Sequence, residues 1–140
     1  MTTANAEQVL NRAFVRAHRS LGQYLRTTAW PRFDIGDEHA LRTLVDKEAR
    51  LTDKLAEYLI RQTGTVETGH YTLTYSDLHF LNFSRILPEW RKAQSALVED
   101  LIQDRRDLGD AEPEAISHLD QLIQHEKNIL AKLEGAPDEH

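Results

Sequence analysis

The sequence predicts an all-α protein, an up-down-up-down antiparallel four-helix bundle built as a single domain over residues 1–140. Three observations predict it. Apolar residues recur at alternating steps of three and four in four separate segments, the spacing that gives a helix one buried stripe. Helix-breaking Pro and Gly residues fall mainly between these segments. No strand-like pattern occurs outside one short Thr-rich stretch. Of the 140 residues, 40% are hydrophobic and 29% charged, enough apolar material for one core and too much for a disordered chain.

The first segment runs from Ala6 to about Thr28, with Leu10, Phe14, Ala17, Leu21, Tyr24 and Thr28 on its stripe, and Trp30-Pro31 stops it. The second opens at Asp37, a suitable N-cap, carries Leu41, Leu44, Leu51, Leu55, Tyr58 and Leu59, and ends at Gly64. Residues 64–74 are rich in glycine and β-branched side chains and read as an extended, ordered loop. Thr74-Tyr-Ser-Asp77 offers a capped start to the third and longest segment, whose stripe includes Phe83, Ile86, Leu87, Trp90, Leu97, Leu101 and Leu108. Pro88 lies inside it and predicts a kink or a break near Ser84 to Leu87, because proline lacks the amide hydrogen and crowds the preceding turn. The fourth segment, Pro113 to Glu134, has its proline in the first turn, where the missing donor costs nothing. Short links predict antiparallel neighbours, and residues 136–140 read as a frayed tail.

Composition removes several classes of chemistry. The absence of cysteine excludes disulfides, thiolate metal sites and a Cys nucleophile. A formal charge of -6 disfavours general nucleic-acid binding. No apolar run reaches the length of a membrane span, and residues 1–7 lack the pattern of a signal peptide, so the expected location is cytoplasmic. Glycine-rich phosphate loops and Ser/His/Asp nucleophile contexts are absent from the sequence.

Two carboxylates break the apolar pattern. Glu48 follows Leu44 by four and precedes Leu51 by three, which centres it on the second stripe; Glu126 follows Leu122 by four and precedes Leu130 by four on the fourth. An ionised carboxylate in an apolar interior costs several kcal/mol unless it is protonated, hydrogen-bonded, paired or metal-bound. Counting residues from each turn at about 1.5 Å per residue puts His18 on the first helix, and Trp90 and Gln94 on the third, near the same height. Gln94 is itself a polar residue between Trp90 and Leu97 on an apolar stripe.

This arrangement resembles the ferritin-like bundles, in which inward carboxylates at mid-height hold a di-iron or di-manganese centre and two helices carry Glu-x-x-His. The matching positions are Glu48 and Glu126, on the second and fourth helices. Leu51 and Ile129 stand where the two histidines would be, and His18 and Gln94 replace glutamates on the other helices. The resemblance therefore implies the layout and half of the motif.

Three physical readings of the cluster follow. Glu48, Glu126 and His18 could hold one divalent ion such as iron or manganese, with His125 as a reserve ligand. The carboxylates could instead share a proton and take hydrogen bonds from His18, Trp90 and Gln94, fixing the packing without a ligand. Or Glu48, Glu126, Gln94 and Trp90 could line a small-ligand pocket. The leading expectation is a non-enzymatic homodimeric bundle whose cluster is structural or a degenerate metal site; the alternative is a divalent-metal-binding or small-ligand-handling protein. His79 reads as a bundle-end histidine bonded to the 64–74 loop, and His118 and His125 as flanking residues of the fourth helix. Gln103-Asp-Arg-Arg-Asp107 reads as a solvated helix end or a subunit contact.

Overall fold

The computed structural model describes residues 3–79 and 81–136 and is all-α. Its elements are α1 (Thr3–His18), α2 (Leu21–Thr28), α3 (Glu38–Thr63), a 3-10 helix (Leu73–Leu78), α4 (Phe83–Leu108) and α5 (Pro113–Glu134). Residues 137–140 of the expected tail lie outside the described residues; Ala136 is tied down, its carbonyl accepting from Arg91 Nη2 at 2.9 Å.

The segment read as one first helix is two. The chain leaves helical geometry at Arg19 and Ser20, and Ser20 becomes the N-cap of α2, its Oγ accepting from Gln23 N at 3.2 Å. At α3 the expected punctuation is found: Asp37 Oδ1 accepts from Ala40 N at 3.0 Å, and Gly64 closes the helix in the left-handed region at φ 85°. Thr74-Tyr-Ser-Asp77 does not start the next helix. It lies in the 3-10 helix, which has no side-chain cap, whereas Asn82 Oδ1 accepts from Arg85 N at 3.2 Å and starts α4 there. Pro88 falls six residues into α4, which continues through it to Leu108, so the break lies before Phe83 rather than at the proline.

The direction of α4 is the principal correction. Phe83 N donates to Arg32 O at 2.8 Å, and its ring stacks on Phe33, so α4 begins at the end of the molecule where α3 begins. α5 begins where α3 ends, as the 2.7 Å contact between Arg61 and Glu114 requires. Arg12 of α1 reaches Asp104 and Asp107 near the end of α4. The long helices therefore run up, down, down, up, with α1 beside α3 and α4, and α5 beside the same two. Each of these neighbouring pairs is antiparallel, while α3 and α4 lie parallel on a diagonal. Residues 64–79 with 81–82 thus form a crossover that returns along the 26-residue α3, about 39 Å at the helical rise.

The crossover lies along α1 and α2. Asn11 holds it by a two-way clamp, donating to Glu67 O and accepting from Glu67 N, both at 3.0 Å, and Arg19 Nε donates to Thr68 O at 2.9 Å. Gly69 touches α1 so closely that a Cβ there would fall 2.5 Å from Val15 Cγ1, and its φ of 64° disfavours any side chain.

The buried apolar residues form two clusters. One joins α1, the second half of α3, the end of α4 and the start of α5 around Leu10, Phe14, Leu55, Leu101 and Leu119. The other joins α2, the first half of α3, the start of α4 and the end of α5 around Leu25, Leu41, Phe83, Trp90 and Leu133. Between them lies a polar layer. Among the described residues, no helix is long and apolar enough to cross a membrane.

Candidate functional site

Glu48 of α3 and Glu126 of α5 meet in the polar layer, 1% and 0% exposed. Burial and then the charge of Glu48 push the Glu126 carboxyl well above the usual carboxylate range, and the two side chains are close enough to share a hydrogen bond. Each uses one oxygen toward its surroundings. Glu48 Oε1 accepts from Ser20 Oγ and from Gln23 Nε2, both at 2.8 Å. Gln94 Nε2 donates to the Glu126 carbonyl at 2.9 Å and to its Oε1 at 3.3 Å. Glu48 Oε2 and Glu126 Oε2 are buried and receive no donor from any described side chain. A proton on the Glu126 carboxyl, favoured by that shift, would be a donor to the neighbouring Glu48 carboxyl, where neither Oε2 has another donor among the described residues.

The break between α1 and α2 supplies two of the three donor groups. With Ser20 as a cap, α2 turns both the Ser20 hydroxyl and the Gln23 amide toward α3, where Gln23 Nε2 also donates to Val45 O at 2.8 Å. Neither residue stands out in the sequence, because the apolar period runs unbroken through them. The available signal is a serine three residues before a glutamine inside that period, the spacing of a local N-cap.

Of the expected site residues, the structure gathers Glu48, Glu126 and Gln94 into one hydrogen-bonded layer. His18 is not a member. It is half-buried, stacks on the Phe14 ring with centroids 4.9 Å apart, and makes no hydrogen bond to either carboxyl. Burial and then neighbouring Arg19 lower its pKa. The helix ends at His18, and Ser20 takes the position at Glu48 that the imidazole was expected to fill.

Trp90 is fully buried at the same level, but its Nε1 has no acceptor among the described residues and donates to neither carboxyl. Its ring edge packs over Gly22, where a Cβ would sit 3.3 Å from Trp90 Cζ2 and 3.7 Å from Glu48 Oε1. His125, the reserve ligand, is buried and turned away: its Nε2 donates to the Leu44 carbonyl at 2.7 Å. Burial lowers its pKa, which favours the neutral ring. Among the described residues, no group of three or more His, Asp or Glu side chains is arranged to hold a metal ion.

The remaining histidines lie elsewhere. His79 follows the 3-10 helix rather than lying on a helical stripe, and it is bonded to the Tyr24 hydroxyl. His118 packs on the Tyr58 ring, with Nε2 3.6 Å from Glu114.

A second buried carboxylate was missed by sequence reasoning. Asp104, in the run read as a solvated helix end, is 0% exposed between α1 and α4. Its Oδ1 accepts from Arg12 Nε at 2.7 Å and its Oδ2 from Arg16 Nε at 2.9 Å. Arg12 also reaches Asp107, and Arg16 reaches Asp100. Arg105 of the same run pairs with Asp120 at 2.9 Å.

Above the polar layer, a cleft of about 290 Å3 opens between α1, α2, α4 and the crossover. Ser20 and Gln94 reach it from the layer, while Arg16, Arg19, His70 and Asp100 also line it. No protein-family model, no curated protein and no solved structure matches this chain.

Proposed function

We propose that the chain is a non-enzymatic helical-bundle protein, ferritin-like in layout, whose interior carboxyl pair is a degenerate metal site that holds a proton in place of metal. The single long crossover between the second and third long helices supports the layout, because ferritin-like bundles carry one such connection. The observation that carries the reading is the identity of the donors. Ser20, Gln23 and Gln94 are all neutral, and among the described residues no third ionisable ligand joins Glu48 and Glu126. A divalent ion prefers more ligands than two carboxylates supply, whereas one proton satisfies both orphaned oxygens.

Metal analysis of the purified protein beside Glu48→Gln/Glu126→Gln tests this. The expected result is no stoichiometric metal in either protein and no thermal shift on adding iron(II) or manganese(II). Stoichiometric metal in the native chain that is lost from the double variant would establish the second reading, a divalent-metal-binding protein. The observation favouring that reading is the pair of donor-free Oε2 atoms at the centre of the layer.

Homodimer formation belongs to the same proposal. Leu73 on the 3-10 helix is 91% exposed, and the following residues Thr74 and Tyr75 line a mainly apolar groove with Leu21, Leu78 and Ala96. Light scattering checks it, with a dimer that Leu73→Asp dissociates as the expected outcome.

A further inference from the structure

The cleft above the polar layer is electrically bipolar. At its floor, Gln94 lines the cleft and turns Nε2 toward Glu126, which leaves its Oε1 with no donor among the described residues. Ser20 also lines the cleft with Glu48 Oε1 only 2.8 Å behind its hydroxyl, so the carboxyl pair stands directly below the floor. At its mouth the balance reverses. Among the described residues Arg19 engages Nε with Thr68 O and lies over the Tyr71 ring, and its two terminal nitrogens have no acceptor there. Exposed His70 stands on the crossover beside it. Asp100, also at the mouth, is already paired with Arg16 at 3.3 Å. The lining also includes Leu21, Leu97 and Ala93, which offer apolar contact to a side chain beside these polar groups.

We propose that this cleft binds a small zwitterion, a free amino acid with an apolar side chain, its ammonium group at the floor and its carboxylate at the mouth. The ammonium donates to Gln94 Oε1 in the field of the carboxyl pair. The carboxylate takes the terminal nitrogens of Arg19, a planar donor fork suited to two oxygens. The cleft volume of about 290 Å3 accommodates a ligand of this size. An anion without an amine meets repulsion from the floor, and an amine without a carboxylate leaves Arg19 unanswered. The inference rests on the proton reading to the extent that the pair must carry a net negative charge.

Titration calorimetry with L-leucine tests it, with 4-methylpentanoate lacking the amine and 3-methylbutylamine lacking the carboxylate as controls. Saturable binding of leucine is expected, with each control weaker by about tenfold or more. Arg19→Ala also loosens the crossover, so Ala93→Phe, which plugs the cleft from α4, is measured beside it; both should abolish binding. Glu126→Gln, which replaces a protonated acid by a neutral amide, should leave affinity within about twofold, whereas Glu48→Gln/Glu126→Gln should lower it about tenfold. No binding of leucine, or undiminished binding by Ala93→Phe, overturns the proposal. Loss of leucine binding in Glu126→Gln alone, with the plugging variant still inactive, overturns the proton reading and leaves the cleft assignment standing.

Discussion

Glu126 and Asp104 are both 0% exposed carboxyls at contacts between long helices, yet their surroundings answer the same physical problem in opposite ways. Asp104 is met by two guanidinium groups, one on each oxygen, whose other ends reach solvent. Glu126 is met by another carboxyl and a glutamine amide, with no cation bonded to the pair. A buried charge can be balanced by opposite charge or removed by a proton; the first arrangement is found between α1 and α4, and the raised Glu126 carboxyl favours the second between α3 and α5. The first solution fixes register through geometry. The second makes packing depend on proton occupancy.

The largest test of this contrast is Asp104→Ala, which leaves two arginines converging on a space with no acceptor. A loss of about 3–5 kcal/mol in urea unfolding is expected, as for other broken buried pairs. A loss under about 1 kcal/mol would show that Asp107 and Asp100 suffice to hold both arginines. Ser20→Ala should cost less, about 2 kcal/mol, since it removes a helix cap and one donor to Glu48. Far-ultraviolet circular dichroism at matched urea concentrations would separate loss of α2 from global unfolding.

Proton dependence is the next comparison. The Glu126 carboxyl is raised in the folded state, so the folded chain binds a proton that the unfolded chain has released. The stability this contributes is fully present below the unfolded carboxyl pKa and is lost as pH rises through the raised folded value. Asp107, Asp34 and Glu114 are lowered by their hydrogen bonds and contribute with the opposite sign, at the acid end. Thermal melts at pH values rising from the ordinary carboxylate range should therefore show the Glu126 contribution declining in the native chain until its raised value is passed. Glu126→Gln should remove much of that decline. At neutral pH the same variant gives the smallest effect, within about 1 kcal/mol, because an amide donates to Glu48 as the protonated acid does.

Legibility in the sequence follows the same division. Glu48, Gln94 and Glu126 were readable because each interrupts a long apolar stripe, and a stripe fixes which way a side chain points. Their shared height survived an error in topology for a geometric reason. All three lie near the middle of their helices, and reversing a helix end for end leaves its middle where it was. The reversal itself was hidden because residues 64–82 contain a capped-looking turn at Thr74 to Asp77, which shortens the apparent link and conceals a crossover. Ser20 and Gln23 were obscured by the period that continues across the break. Asp104, Arg12 and Arg16 were unreadable for another reason: charged residues look like solvent-facing groups until a neighbouring helix is set against them.

The interruption at Arg19 and Ser20 also defines a competing conformation. Leu10, Phe14, Ala17, Leu21, Tyr24 and Thr28 encode one continuous amphipathic helix, which the folded chain forgoes in order to turn Ser20 and Gln23 toward Glu48. Each backbone turn left unformed costs local helical propagation, and a single acceptor oxygen draws both side chains away from it. Replacing Glu48 with leucine would remove that attraction and let α1 extend through the junction, a gain in helicity from deleting a buried contact. Residues 3–28 thus carry one continuous apolar period that contacts from α3 and the crossover interrupt.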